Sequence, residues 1–234
     1  MKKVQRSITR YFTKGETALW CGSVLIILLS YAAVGKNDFL TLAASLIGVT
    51  SLIFAAKGNP IGQLLMIAFS ILYGIVSYTF SYYGEMITYL GMTAPMAVFS
   101  LVSWLNNPYD GNKAEVKVNR LRTAEIVLML IATAAVTVVF YYILKAFGTA
   151  NLLPSTASVS TSFIAAYLTF KRSEFFALAY AANDLVLIIL WTMAAFSDVS
   201  YLSVDICFAV FFVNDIYGFI SWSRMKKRQA NGNS

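Results

Sequence analysis

The chain has 234 residues, of which 59% are hydrophobic and only 12% are charged, a composition typical of a protein embedded in a membrane. Its formal net charge is +7, but we attribute the excess of cations to membrane topology and lipid headgroups, and we expect no nucleic-acid partner. The chain contains no histidine and two cysteines, so we predict no metal site, no cofactor and no enzymatic activity.

Long apolar runs follow one another along the chain. Each is close to the ~20 residues that a helix needs to cross a bilayer. We therefore predict an all-α polytopic membrane protein with eight transmembrane helices. They span residues 17–34, 39–56, 61–80, 85–105, 123–146, 154–170, 175–196 and 201–222.

The cations lie on one side of this arrangement. Of the eighteen lysines and arginines, all except Lys36 and Lys145 fall in the N-terminal arm, in the loops on the same side, or in the C-terminal tail. Cytoplasmic segments of membrane proteins collect lysine and arginine. The pattern therefore predicts that both termini are cytoplasmic.

The second to fourth predicted helices resemble the sixth to eighth in layout. Each triplet has a basic turn after its first helix, at Lys57 or Lys171, and each ends in Ser-Trp, at Trp104 or Trp222. A single helix between two three-helix units gives both units the same orientation. Parallel repeats of this kind form transporters whose substrate site lies near the membrane midplane, between the halves. We predict one domain, 1–234, with an extra N-terminal helix (17–34), a first repeat (39–105), a linker helix (123–146) and a second repeat (154–222).

Acidic and amide side chains within the predicted spans mark the candidate site. A charged group in hydrocarbon costs at least ~2.5–3.5 kcal/mol on insertion scales, so such groups usually serve a function. Asp184 follows Asn183 in the seventh helix, and Asp215 follows Asn214 in the eighth. Helical spacing places Asp184 and Trp191 on one face of the seventh helix.

The third helix carries a polar stripe that we expect to face the same central space. Gln63, Ser70, Tyr73 and Ser77 recur on one helical face. Aromatic faces stack on flat rings and attract cations, amides bind hydroxyls and carboxamides, and carboxylates attract positive charge. No lysine or arginine lies in mid-span to hold a phosphate or carboxylate. The expected solute is flat, hydroxylated, and neutral or cationic.

Several further residues have positions that predict local structure. Pro95 lies inside the fourth span, where we expect a kink or a hinge because proline cannot complete the helical hydrogen bonding. We interpret the tyrosines near the outer boundary and the tryptophans at the inner ends as an interfacial aromatic belt, namely Tyr78, Tyr82, Tyr83 and Tyr89, with Trp104 and Trp222.

Four sequence strings resemble the PnuC family of nicotinamide riboside transporters. They are GNPIGQ at 58–63, YYGEMITY at 82–89, SWLNN at 103–107 and VNDIYGFISW at 213–222. The resemblance runs from the second helix to the basic tail. It implies a bacterial inner-membrane protein with a SWEET-like 3+1+3 core. It also implies facilitated diffusion (uniport) of unphosphorylated nicotinamide riboside, which a cytosolic kinase then traps as a phosphate, and it implies a homotrimer.

The resemblance also suggests roles for particular residues. Family members bind the substrate ring with tryptophan and its polar parts with amides, roles that Trp191, Asn214 and Gln63 match best here. The full set of candidate substrate-binding residues is Trp191, Asn214, Gln63, Asn183, Asp184, Asp215, Tyr73 and Ser77.

Two alternatives remain open. The chain has no second tryptophan three or four residues from Trp191, where a pair is expected, which leaves room for a carrier of thiamine or another vitamin. The other alternative is a proton-coupled carrier that uses Asp184 and Asp215 as relays, since carboxylates alone can pass protons within a membrane.

Overall fold

The structure is a computed structural model that describes residues 11–34, 38–149 and 151–231. Most of the basic N-terminal arm, residues 1–10, and Lys36 lie outside the described residues. The described helices are α1 (Lys14–Val34), α2 (Phe39–Ala56), α3 (Ile61–Thr79), α4 (Tyr83–Thr88), α5 (Ala94–Leu105), α6 (Thr123–Ala146), α7 (Leu152–Phe170), α8 (Phe176–Ala195) and α9 (Leu202–Asn231). A π-helical turn (Tyr89–Thr93) joins α4 to α5, and a 3-10 turn (Val199–Tyr201) precedes α9. Strands β1 (Pro108–Tyr109) and β2 (Asn112–Val116) form an antiparallel hairpin.

Within the described chain, seven segments are long and apolar enough to cross a membrane. They are Lys14–Val34, Phe39–Ala56, Ile61–Thr79, Tyr83–Leu105, Thr123–Ala146, Phe176–Ala195 and Val199–Asn231. The prediction of a helical, polytopic membrane protein is confirmed.

Helix α7 corresponds to the remaining predicted span, 154–170, and it is less apolar than the other seven segments. It is rich in serine and threonine, and Ser155, Ser158 and Ser162 are buried against its neighbours α5, α6 and α8. Buried hydroxyls on a helix commonly bond to a carbonyl one turn earlier, as Thr169 does to Ala165 O at 2.8 Å. The count of eight spans stays a prediction.

The helices pack as two triplets with two helices outside them. In the first triplet α2 packs on α3 and α3 on α5, and in the second α7 packs on α8 and α8 on α9. The triplets meet where α2 contacts α9 and where α5 contacts α7. Helix α6 packs on α7 and leaves most of its apolar surface exposed, whereas α1 packs on α2 and α9.

Helix α1 is attached to the bundle by polar contacts. The carboxylate of Glu16 accepts hydrogen bonds from Lys57 Nζ and from the Tyr217 hydroxyl, both at 3.1 Å. Nearer the middle of the helix, Ser23 Oγ accepts a hydrogen bond from Asn214 Nδ2 at 2.9 Å. These contacts connect α1 to the end of α2 and to α9.

The fourth span is interrupted where Pro95 predicts a kink or hinge. The backbone changes to the π-helical turn, and Pro95 lies in the first turn of α5, where its missing N–H leaves few hydrogen bonds unmade. The N–H of Ala94 donates to Tyr89 O across this turn. The irregularity therefore precedes the proline, because the π-helical turn lets a new helical segment begin there.

One end of the bundle carries Lys57, Lys171 and the β1–β2 hairpin, and we call it the basic end. The hairpin and the segment that follows it contact the turns of both triplets there. Val116 N donates to Gly58 O, and Asn119 N donates to Arg172 O, both at 2.9 Å. Gly58 has φ +66°, which glycine adopts without a steric penalty. Burial lowers the pKa of the Arg172 guanidinium, which still remains charged.

Two tryptophans close the bundle near the basic end. Trp104 Nε1 donates to Thr169 O at 2.9 Å, and Trp222 Nε1 donates to Ala55 O at 2.8 Å. Their ring centroids are 5.3 Å apart, and both side chains are buried. The interpretation of Trp104 and Trp222 as belt residues was therefore wrong, because each indole faces the other triplet and not the lipid.

Candidate functional site

An aromatic cluster surrounds Trp191 near the end of the bundle opposite the basic end. Trp191 is 0% exposed and lies on α8. Its Nε1 donates to the Tyr73 hydroxyl on α3 at 2.7 Å. The ring centroids of Tyr82, Tyr201 and Phe80 lie 4.7, 5.8 and 6.1 Å from that of Trp191. The indole is thus enclosed by rings from both triplets.

Tyr73 extends this cluster toward the centre of the bundle. Its ring centroid lies 4.4 Å from that of Tyr89 and 5.4 Å from that of Phe208, both in edge-to-face geometry. Tyr82 and Tyr89 are only 8% and 5% exposed. Their interpretation as belt tyrosines was wrong, because α4 and the π-helical turn bring these two residues into the core.

Asp184 and Asp215 form a buried pair between α8 and α9. They are 3% and 4% exposed, and their carboxyl groups are close enough to act on each other electrostatically. Two buried carboxylates at close range repel each other, and sharing one proton relieves that repulsion. The structure thus brings together the two acids that the sequence placed on separate helices.

The two asparagines beside these acids point in different directions. Asn183 Oδ1 accepts hydrogen bonds from Thr161 Oγ1 at 2.7 Å and Ser162 Oγ at 2.9 Å, so it faces α7. Asn214 faces α1 through its bond to Ser23, and its Oδ1 has no hydrogen-bond partner among the described residues. The indole N–H of Trp191 donates to Tyr73 and to neither amide, and Asn214 Oδ1 remains a free acceptor.

The polar stripe of α3 lies inside the bundle, as its spacing predicts. Gln63, Ser70, Tyr73 and Ser77 are all buried. Only Tyr73 contacts Trp191 through a hydrogen bond. Gln63 is about 15 Å from Tyr73 along the helix axis, at 1.5 Å per residue. The candidate residues therefore occupy successive levels of the bundle.

Glu85 is a buried acid that the sequence interpretation missed. It is the first residue of the predicted span 85–105 and is absent from the candidate site residues, but it is 0% exposed in α4. Ser158 Oγ on α7 donates to Glu85 Oε2 over a long 3.4 Å. The signal available in the sequence was its position one turn before Tyr89 in the string YYGEMITY.

The aromatic cluster is closed in this conformation. A cavity bordered by Tyr73, Phe69 and Phe208 has a volume of about 10 Å³, close to the minimum for one water molecule. A solute with an aromatic ring and a sugar can enter only if these side chains move.

The helical bundle, its buried acids and its enclosed aromatic cluster define a polytopic membrane transporter for a small molecule. A family model described as "Nicotinamide mononucleotide transporter" matches residues 38–224. The chain is 28% identical over 218 residues to "Nicotinamide riboside transporter PnuC" of Neisseria mucosa, a match covering 91% of this chain and 82% of that relative. It also matches a solved structure, "Crystal structure of the Vitamin B3 transporter PnuC", with a TM-score of 0.81 and 25% identity, over 93% of this chain and 94% of the other.

The chain belongs to the PnuC family of transporters, as the sequence strings suggested. The prediction that it is not an enzyme is confirmed by that membership.

Proposed function

We propose that the chain carries unphosphorylated nicotinamide riboside across the bacterial inner membrane by facilitated diffusion. In this proposal a cytosolic kinase phosphorylates the riboside after entry, which keeps its internal concentration low and draws further uptake. The names of the relative and of the solved structure, a nicotinamide riboside transporter and a vitamin B3 transporter, support this choice.

The charge of the buried residues favours the riboside over the mononucleotide as the substrate. The two solutes differ by a phosphate, which brings about −1.5 to −2 charges at neutral pH. Among the described residues, the buried charged side chains are all acidic, and no lysine or arginine is buried. A phosphate in this interior would meet carboxyl groups and no counter-charge. A flat cation with hydroxyl groups suits the same surroundings, because aromatic faces and carboxylates both attract it.

We further propose eight transmembrane spans, arranged as a SWEET-like parallel 3+1+3 core with α1 outside it. The packing supports this arrangement, because exchanging the triplets converts the α2–α9 contact into the α7–α5 contact. The same exchange converts the bond from Trp104 to Thr169 into the bond from Trp222 to Ala55. In this arrangement both termini and the basic end are cytoplasmic. The exposed apolar faces of α1 and α6 are available to lipid or to a homotrimer interface.

Thiamine and proton coupling are the alternatives that specific observations favour. Thiamine is also a flat cation, so the aromatic cluster and the acids do not by themselves exclude it. The buried pair of Asp184 and Asp215 places two neighbouring carboxyl groups inside the membrane region, as a proton-coupled carrier requires. Uniport requires that no proton passes through this pair during transport.

Binding to the purified protein tests the substrate. We expect isothermal titration calorimetry to show saturable binding of nicotinamide riboside and at least about tenfold weaker binding of the mononucleotide, because the phosphate has no buried partner. Thiamine is titrated in parallel. Tighter binding of the mononucleotide would contradict the proposal, and tighter binding of thiamine would establish the alternative vitamin.

A further inference from the structure

Glu85 has fewer partners than a buried carboxylate normally requires. It is fully buried, and its Oε1 finds no hydrogen-bond partner among the described residues. Its other oxygen accepts only the 3.4 Å bond from Ser158. Buried carboxylates are usually paired with a cation or hydrogen-bonded at both oxygens. The carboxyl group of Glu85 therefore lacks the partner that a bound cation could supply.

The position of Glu85 relates this charge to the aromatic cluster. Glu85 lies one helical turn before Tyr89, whose backbone N–H donates to Glu85 O, so the two side chains share one face of this span. The ring of Tyr89 in turn packs against that of Tyr73, with centroids 4.4 Å apart. The tyrosine pair therefore lies one turn from an unbalanced acid.

The part of the chain that the structure describes offers no buried protein cation to balance Glu85. Lysine and arginine are absent from the buried residues that the structure describes. Nor do the described residues contain a group of three or more metal-binding side chains. Since aromatic faces and a half-satisfied carboxylate both attract positive charge, a cationic guest at the tyrosine pair would be held by both.

We propose that Glu85 is a specificity-determining residue that supplies the counter-charge for a positively charged ring bound at the Tyr73–Tyr89 pair. This inference rests on the proposed function, because nicotinamide riboside carries such a ring. Glu85 then distinguishes a pyridinium cation from an uncharged ring of nearly the same shape.

The test compares nicotinamide riboside with its reduced 1,4-dihydro form, whose ring is uncharged. We expect the wild-type protein to bind the cation at least about tenfold more tightly than the reduced form. In Glu85→Gln, which keeps the shape of the side chain, the affinity for the cation should fall about tenfold while that for the reduced form stays within about twofold. The dissociation constants are measured by calorimetry at one pH and one salt concentration.

Two control variants separate the charge of Glu85 from its surroundings. Ser158→Ala removes the hydrogen-bond donor and keeps the carboxylate, so the preference for the cation should persist. Glu174→Gln removes an acid that pairs with Lys226 at 2.6 Å near the basic end, and it should leave both affinities unchanged. A Glu85→Gln protein that keeps the wild-type preference would overturn the inference.

The outcomes also distinguish this inference from the proposed function. If the wild-type protein binds neither form of the riboside, the proposed function fails. If the wild-type protein binds both forms equally, the function stands and the role of Glu85 fails, whether or not Glu85→Gln folds.

Discussion

Replacing Trp191 with alanine is expected to weaken the binding of nicotinamide riboside by ~1–3 kcal/mol, or about 5–150-fold. The indole is enclosed by the rings of Tyr82, Tyr201 and Phe80 and donates to Tyr73. Its removal takes away the largest stacking surface of the cluster. The same change should lower the stability of the folded protein by ~3–5 kcal/mol, because a buried tryptophan leaves a cavity. Calorimetry gives the affinity, and thermal unfolding in detergent gives the stability.

A matched tryptophan outside the site provides the control for this prediction. Trp20 on α1 is 37% exposed and bonds to Thr50, so Trp20→Ala should leave the affinity unchanged. Trp191→Phe retains a ring but loses the N–H that donates to Tyr73. Its affinity for the riboside should lie between those of the wild type and of Trp191→Ala. An unchanged dissociation constant in a folded Trp191→Ala protein would show that the substrate binds elsewhere in the bundle.

Replacing one acid of the buried pair is expected to lower the stability of the folded protein. The size of the loss should depend on the side chain that replaces the acid. Asp184→Ala leaves Asp215 without its partner in the core and should cost ~1–3 kcal/mol. Asp184→Asn offers the remaining carboxylate an N–H donor and should cost less than ~1 kcal/mol. Under uniport, Asp184→Asn also retains the exchange of riboside across the membrane, because no proton has to move. Thermal unfolding and proteoliposome exchange measure the two effects.

Asp205 offers the control for the paired acids. It is half-buried, and its Oδ2 accepts a hydrogen bond from Thr192 at 3.0 Å, away from the pair. Asp205→Asn should lower the stability of the protein much less than Asp184→Ala does. It should also leave the exchange of riboside unchanged. If Asp184→Asn folds but abolishes exchange, the pair acts as a proton relay, and the uniport proposal is contradicted.

The helices were predictable because hydrophobic length and polar breaks determine them. The predicted spans 39–56 and 123–146 coincide with α2 and α6. Each is bounded by residues that end an apolar run, such as Asp38, which caps α2 by accepting from Leu40 N and Thr41 N. The buried stripe of α3 was predictable for a related reason, since helical periodicity assigns its polar residues to one face.

The tertiary roles of the aromatic residues could not be read in the same way. Tyr89 and Trp222 lie near the ends of apolar runs. At such positions the sequence is the same whether the ring faces the lipid or packs in the core. Which of the two applies depends on the neighbouring helix, here α3 for Tyr89 and α2 for Trp222. Likewise, Asn214 and Asp215 are adjacent in sequence, yet the helical turn directs one to α1 and the other to α8.

The most direct test of facilitated diffusion is counterflow in proteoliposomes with every ion gradient abolished. Vesicles loaded with unlabelled nicotinamide riboside are diluted into labelled riboside, with a protonophore present and identical buffer on both sides. The proposed mechanism predicts transient accumulation of label at the same rate as without the protonophore, and none in vesicles lacking the protein. Accumulation that appears only when a pH gradient is imposed would contradict it.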